Sequence, residues 1–223
     1  MTYKIYINHI LWIFKIRKIL PKDIIQNKSV YECSEPMINI FNTPKFLFST
    51  KTKQFYLRKT LVKKLKQVSQ SLPQGIHLKL NEGYRSLEKQ KQIWDKEFEK
   101  IKKKNPKIRK SEIERLTRLC VAYPIKNACG HQTGGAIDLT LCRKNGRTLN
   151  MGTEILEFNK KTKTQNFHLT REERNNRKIL KQTMEKYDFI NFPGEWWHYC
   201  YGDKIWAAYK KKKYAIYNST TIK

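Results

Sequence analysis

The chain reads first as an alternation of helical and extended hydrophobic patterns. From Phe55 to Leu72 the apolar positions Leu57, Leu61, Leu65, Val68 and Leu72 recur at helical spacing with lysines between them, which predicts a helix with one core-facing stripe. Pro73-Gln74-Gly75 ends it, and Ile76, Leu78 and Leu80 then alternate with polar neighbours, as a strand should. A second helix is predicted over Leu87 to Lys104, with Ile93, Trp94, Phe98 and Ile101 as its stripe and Asn105-Pro106 as its stop. Ser111 with Glu114 has the form of a capping box, opening a third helix that would bury Ile113, Leu116 and Leu119.

Ala136 to Leu141 reads as a strand, and Asn145-Gly146 as a hairpin turn from which Thr148 to Met151 returns antiparallel. Glu154 to His168 is expected to be a loop lying over the mouth of a cleft, with His168 on the surface. Thr170 and Glu173 repeat the capping-box pattern and open a helix to about Lys186. Phe189 to Tyr201 reads as the last major strand, with Trp196 and Trp197 on its two sides as packing supports. Before all this, Lys22 to Thr52 is broken by Pro36, Pro44 and several Asn and Ser residues into irregular structure with short strands. The basic stretch beyond Tyr209 is expected to fray.

At 223 residues, with 39% apolar and 12% aromatic content, the chain suits one well-packed domain with extensions. The expected division is an N-terminal extension and cleft-wrapping segment over 1–54, a catalytic domain over 55–209 and a basic tail over 210–223. Charge changes the picture most: 47 Lys and Arg against 19 Asp and Glu give a formal +28, which invites polyanionic partners. The lysines concentrate in Lys100 to Lys110, in Lys210 to Lys213 and on the outer face of the helix after Phe55, and read as solvated faces and tails. No nucleic-acid-binding motif accompanies them, so no specific nucleic-acid partner is expected.

Cys33, Cys120, Cys129, Cys142 and Cys200 show no CxxC spacing, and an odd count argues against a disulfide framework and for a reducing compartment. The apolar run Ile5 to Phe14 is too short and too polar to span a bilayer, and neither a clean signal-peptide core nor a cleavage site follows it. It reads as a short packed or interfacial segment. A cytoplasmic location is expected, with export as the alternative, and the oligomeric state is left open.

Candidate chemistry sits in two stretches far apart in the chain: Cys129-Gly130-His131-Gln132-Thr133-Gly134-Gly135-Ala136-Ile137-Asp138 and Gly194-Glu195-Trp196-Trp197-His198-Tyr199. His131, Asp138 and His198 supply three nitrogen and oxygen donors, the set a catalytic zinc uses when its fourth position stays open. Glu195 is then the spare carboxylate, placed to accept a proton from the water that attacks a carbonyl carbon. Cys129 and Cys200 lie beside these residues but are not needed as ligands.

The combined pattern, His-x-x-Gly-x-Ala-x-Asp followed about sixty residues later by Glu-x-x-His, resembles the zinc D-alanyl-D-alanine dipeptidases and carboxypeptidases, the group that includes the vancomycin-resistance dipeptidase. Asp138-Leu139-Thr140-Leu141, Met151-Gly152 and Gly83-Tyr84-Arg85 extend the resemblance, which covers roughly Tyr56 to Tyr209. It implies one zinc ion per chain on His131, Asp138 and His198, Glu195 as general base and then acid, and Arg85 stabilising the oxyanion. Cys129, where the family's dipeptidases usually carry Ser, and Tyr84 are implied substrate contacts. Ser86 stands where many relatives have Pro.

The implied fold is an α+β, hedgehog/D-Ala-D-Ala peptidase-like domain: a small antiparallel sheet with helices mainly on one side and the zinc cleft on the other. The implied reaction is hydrolysis of a D-alanyl-D-alanine dipeptide. The alternatives are a D,D-carboxypeptidase or endopeptidase acting on peptidoglycan stem peptides, and a non-catalytic basic binding protein on the same fold.

Overall fold

A computed structural model describes residues 19–41, 43–49, 53–126 and 129–222. The apolar run Ile5 to Phe14 lies outside the described residues. Nine short strands and six α-helices are seen among the described residues, beginning with α1 (Lys22–Gln26), β1 (Ser29–Val30), β2 (Met37–Asn39) and β3 (Leu47–Phe48). Then come β4 (Tyr56–Arg58), α2 (Lys59–Ser71), β5 (His77–Glu82), α3 (Leu87–Lys104) and α4 (Lys110–Cys120). A 3-10 turn over Gly130–Thr133 leads into β6 (Ala136–Cys142), and α5 (Arg171–Lys186), β7 (Ile190–Asn191), β8 (His198–Cys200), α6 (Lys204–Tyr209) and β9 (Tyr214–Ala215) complete the order.

The main sheet has the order β3-β5-β6-β8-β7. Its four central and far-edge strands are antiparallel, and β3 joins the near edge in parallel. β6 is buried along its whole length, and its alternation sorts the residues by face. Ile137, Leu139 and Leu141 join the main core, where Leu61, Leu65 and Val68 of α2 and Leu180 and Met184 of α5 pack. Ala136 points the other way, into a smaller cluster with Cys200, Trp206, Ala207 and Ala215. Asp138 shares its parity with Ala136, so the sheet itself carries a carboxylate onto the face away from the two core helices.

Several sequence expectations are corrected by the packing. The helix foreseen from Phe55 begins only at Lys59, because Tyr56, Leu57 and Arg58 pair with β2 and Leu57 reaches the core from a strand. The capping box foreseen at Ser111 does not form: α4 starts at Lys110 after an extended Arg109, Leu119 is 65% exposed, and Thr117 fills the buried position. The return after Asn145-Gly146 is a single bridge, Cys142 to Thr148, before the chain turns away at Asn150.

The tail does not fray. β9 pairs in parallel with β1, Tyr217 is buried, and the Thr220 N–H donates to the Gln132 carbonyl at 3.0 Å. Four consecutive lysines, Lys210 to Lys213, stand directly before its apolar run Tyr214 to Tyr217 and hide a strand inside a basic composition.

The Thr170 capping box forms as foreseen, with both reciprocal hydrogen bonds present. Thr170→Ala is expected to cost about 1 kcal/mol and to lower the Tm by roughly 2–4 °C. Thermal melts of the two proteins check this; an unchanged Tm would mean that the cap contributes nothing to α5.

Candidate active site

Three strands bring distant residues into one row. In the register between β6 and β8, Ala136 faces Cys200, Ile137 faces Tyr199 and Asp138 faces His198. A β-bulge between Leu80 and Glu82 of β5 sets Glu82 opposite Asp138. That extra residue re-aims the carboxylate while Leu78 and Leu80 stay in the core.

His131 arrives from the 3-10 turn just before β6. Its Nδ1 donates to the Gly83 carbonyl at 2.7 Å, since a carbonyl can only accept. That fixes the ring and turns Nε2 toward Asp138, 3.4 Å from Oδ1. Gly83 is required there: a Cβ would lie 2.7 Å from the Tyr56 carbonyl oxygen and 2.8 Å from the Phe55 ring. Gly134 ends the turn with φ +69°, its N–H returning to the His131 carbonyl. The buried Arg58 holds the turn from below, donating from Nε to the Thr133 carbonyl at 2.8 Å.

His198 presents Nδ1 at 2.9 Å from Asp138 Oδ1, and its ring stands edge-on to His131 with centroids 5.0 Å apart. All three side chains are buried, and their ligand atoms lie within 4.8 Å of one another. Burial opposes the Asp138 charge, but the two imidazoles override it and hold the carboxyl well below its usual range. Burial also opposes charge on His198, yet the Asp138 carboxylate wins and pushes its pKa up to about 9. A divalent ion bound here would displace that imidazole proton, so its affinity falls as pH falls.

The donor chemistry fits zinc. Two imidazoles and one carboxylate are borderline nitrogen and oxygen ligands, and a tetrahedral ion with bonds of ~2.0–2.1 Å spaces its ligands roughly 3.3 Å apart. The 2.9 and 3.4 Å separations bracket that value. No cysteine joins the cluster among the described residues. Burial pushes the Cys129 thiol up to about 11 and holds the Cys200 thiol well above its ordinary value, so both stay protonated.

Strict alternation along one strand would set Glu195 and His198 on opposite faces unless the backbone bulged or Glu195 stood at the strand's entry. Glu195 does lie outside β8, in the turn that enters it. Phe189 to Tyr201 is a hairpin, with β7 and β8 antiparallel to one another and a turn between them. Parity therefore never constrains Glu195 relative to His198. The Glu195 N–H donates to the Phe192 carbonyl, and the buried Asn191 amide donates to the carbonyls of Glu195 (3.1 Å) and His198 (3.1 Å). Thr164 Oγ1 donates to Asn191 Oδ1 at 2.6 Å, so the long loop before α5 braces this turn as well. Burial raises the Glu195 carboxyl above its ordinary value against the pull of His198, His131 and Arg85.

The two tryptophans are likewise not split across a sheet. Both join the main core, their rings edge to face at 5.4 Å, and Trp196 Nε1 donates to Thr153 Oγ1 at 2.8 Å.

Arg85 follows the end of β5. Its backbone N–H donates to the His131 carbonyl at 3.1 Å, and its guanidinium is clamped to both oxygens of Glu82 and to Gln90 Oε1 at 2.8 Å. Three of its five N–H groups are thus committed among the described residues, and two stay free. Burial opposes its charge, but the Glu82 pair keeps it firmly cationic. The Tyr84 hydroxyl donates to the Thr220 carbonyl at 2.8 Å, tying the residue beside Arg85 to the C-terminal segment.

Sequence reading missed Glu82, Gln90 and Asn191, which hold the others. An Asn inside a short strand is an unfavourable choice for a sheet, and that local cost was the available signal for Asn191, whereas Glu82 and Gln90 carried none. His168 is exposed beside Phe167, away from the cluster, as expected.

A buried His-Asp-His set, with a raised carboxylate and a held guanidinium within electrostatic reach, is the equipment of a metal-dependent hydrolase. The sequence matches the D-Ala-D-Ala dipeptidase model over residues 50–219, and the chain belongs to that family of zinc metallopeptidases. A D-alanyl-D-alanine dipeptidase of Synechocystis sp. is 35% identical over 89 residues, which is 34% of this chain and 36% of that protein. The match thus spans only about a third of the curated relative.

Among solved structures, a variant of the vancomycin-resistance D,D-pentapeptidase VanY in complex with Zn(II) aligns with a TM-score of 0.50 at 18% identity, covering 86% of this chain and 91% of that one. This likeness places the α+β fold. The LdcB LD-carboxypeptidase aligns with a TM-score of 0.49 at 27% identity, over 82% of this chain and 74% of its own. Among the described residues no helix is long and apolar enough to cross a membrane.

Proposed function

We propose that this chain is a zinc-dependent dipeptidase that hydrolyses D-alanyl-D-alanine. One observation carries the reading: His131, Asp138 and His198 converge within 4.8 Å while Glu195 and Arg85 face the same cluster electrostatically. These three side chains would hold one zinc ion. When bound, such an ion supplies Lewis-acid polarisation of the scissile carbonyl.

Glu195 takes a proton from the attacking water and returns it to the departing amine, a task for which its raised affinity for protons suits it. Arg85 directs its two uncommitted N–H groups at the charge that develops on the carbonyl oxygen, and Glu82 and Gln90 keep the fork from swinging away. Cys129, two positions before His131, and Tyr84, beside Arg85, are the positions from which substrate contacts come. The five free cysteines support a reducing, cytoplasmic setting.

The test compares the zinc-loaded and chelator-treated protein. Zinc at 100 times its Kd is expected to add about 2.7 kcal/mol of stability, a Tm rise of roughly 5–10 °C. Hydrolysis of D-Ala-D-Ala, read as released amine, is expected only from the loaded form and not with L-Ala-L-Ala. A chelated protein that turns over at the loaded rate overturns the metal role. A loaded protein that cleaves a stem pentapeptide but leaves the free dipeptide intact overturns the dipeptidase assignment and leaves a carboxypeptidase.

A further inference from the structure

Among the described residues three carboxylate side chains are buried: Asp138, Glu173 and Asp203. Two of them are compensated where they stand. Asp138 lies between the imidazoles of His131 and His198, and Glu173 receives Lys161 at 3.0 Å. Asp203, only 1% exposed, forms no ion pair among the described residues, in a chain that carries 47 Lys and Arg. Its Oδ1 accepts the Trp206 N–H at 2.8 Å and caps α6, while Oδ2 is buried without a hydrogen-bond partner. The Cys200 thiol beside it is a weak donor, and that S–H is directed at the Ile190 carbonyl at 3.6 Å.

Oδ2 is held against the backbone just before His131. A Cβ on Gly130 would come within 2.1 Å of it and within 2.9 Å of the Ala136 Cβ, so only glycine lets a carboxylate approach that turn. Ala136 and Asp138 project from the same face of β6, two residues or about 7 Å apart. Cys200 stands opposite Ala136 as His198 stands opposite Asp138. Oδ2 therefore sits beside Ala136, about one such step from Asp138, on the face of the sheet that carries the cluster. Burial raises the Asp203 carboxyl above its ordinary value, and the Trp206 N–H and the imidazoles of His198 and His131 pull against it.

An ionised carboxylate in such a place is costly unless an opposite charge lies near, and no Lys or Arg side chain supplies one. A divalent ion on the neighbouring set is the charge that would offset it. We propose, on the reading that zinc occupies the His-Asp-His set, that Asp203 is an outlying charge of that centre, raising its affinity for the ion from behind the ligands. It is not one of the donors, which are His131, Asp138 and His198, and it acts through its field.

Asp203→Asn and Asp203→Ser in the full chain both remove the charge and keep an oxygen able to cap α6. Zinc affinity is read by competition with a chromophoric chelator at fixed pH. Both variants are expected to bind zinc about tenfold more weakly than wild type, the scale on which residues outside the donor set act. Glu172→Gln, which removes an exposed carboxylate from α5, should change Kd less than about twofold, since solvent screens it. The zinc-free Asn variant should melt at or above the wild-type temperature, because an uncompensated buried charge has gone. Its rise in Tm on adding zinc should be smaller. With cobalt(II) in place of zinc, the ligand-field bands of both variants should match those of wild type, since the three donors keep their places.

Wild-type zinc affinity in both variants overturns the role. So does weaker binding accompanied by displaced cobalt bands or by a zinc-free melt several degrees lower, either of which makes Asp203 a structural support of the turn before His131. A wild-type chain that binds neither ion fails earlier, at the His-Asp-His reading itself.

Discussion

Glu195→Gln is expected to lower kcat for D-Ala-D-Ala by about 10²–10⁴-fold, with zinc content and KM little changed. The amide keeps the size of the side chain and the turn that carries it. That turn is built from backbone bonds to Phe192 and from the Asn191 amide, none of which involves the Glu195 carboxylate. What is lost is the capacity to hold a proton between water and amine.

A second readout separates this from a subtle misfolding. In the wild type the acid limb of the pH profile is expected to belong to the Glu195 carboxyl, which burial raises, so that activity falls as pH drops through the raised value. The Gln variant has no such group, and with zinc held saturating at every pH its residual rate should lose that limb. Wild-type turnover by the variant, or a residual rate with the same acid limb, would remove Glu195 from its role.

Arg85→Lys is expected to lower kcat by about 10²–10³-fold, the scale on which a single oxyanion donor acts. Lysine keeps the charge opposite Glu82 but cannot clamp both carboxylate oxygens and Gln90 while still directing donors outward. Arg85→Gln should be worse for a different reason: it strands the partly buried Glu82, leaving Lys89 at 3.3 Å as the remaining cation, and costs about 3–5 kcal/mol of stability. The double variant E82Q/R85Q should recover much of that stability but none of the rate.

The pH dependence has a definite sign. Burial alone would raise the Glu82 carboxyl, but the Arg85 hydrogen bond and charge bring it below its ordinary value. Its contribution is therefore full above the unfolded carboxylate value and is lost as pH falls through the lower folded one. E82Q/R85Q should flatten that part of the stability profile. Denaturant midpoints measured across the acid range check the sign, and a steeper acid loss in the double variant would contradict it.

Local rules served best where neighbours in sequence decide the outcome. The α3 span, the Thr170 cap and the β5 alternation were legible because periodicity, a side-chain bond three residues away and a two-residue repeat are all short-range. The identities of His131, Asp138, His198 and Glu195 as candidates were legible from residue chemistry, and Arg85 only through resemblance, since nothing in its own surroundings distinguishes it among 47 cationic residues.

Position in space was another matter. That Asp138 faces His198 depends on the register of β6 against β8, and that Glu82 stands opposite Asp138 depends on one inserted residue in β5. The break at Phe192–Trp197 that frees Glu195 from strand parity is stabilised by Asn191 and Thr164, which are 27 residues apart in sequence. The C-terminal strand hidden among lysines is fixed by pairing with Ser29–Val30, at the far end of the chain. Composition and short-range pattern set the helices, the donors and the charge. Convergence of those donors was decided only by long-range backbone pairing, because a hydrogen-bonded register ties together residues whose separation along the chain carries no signal of its own.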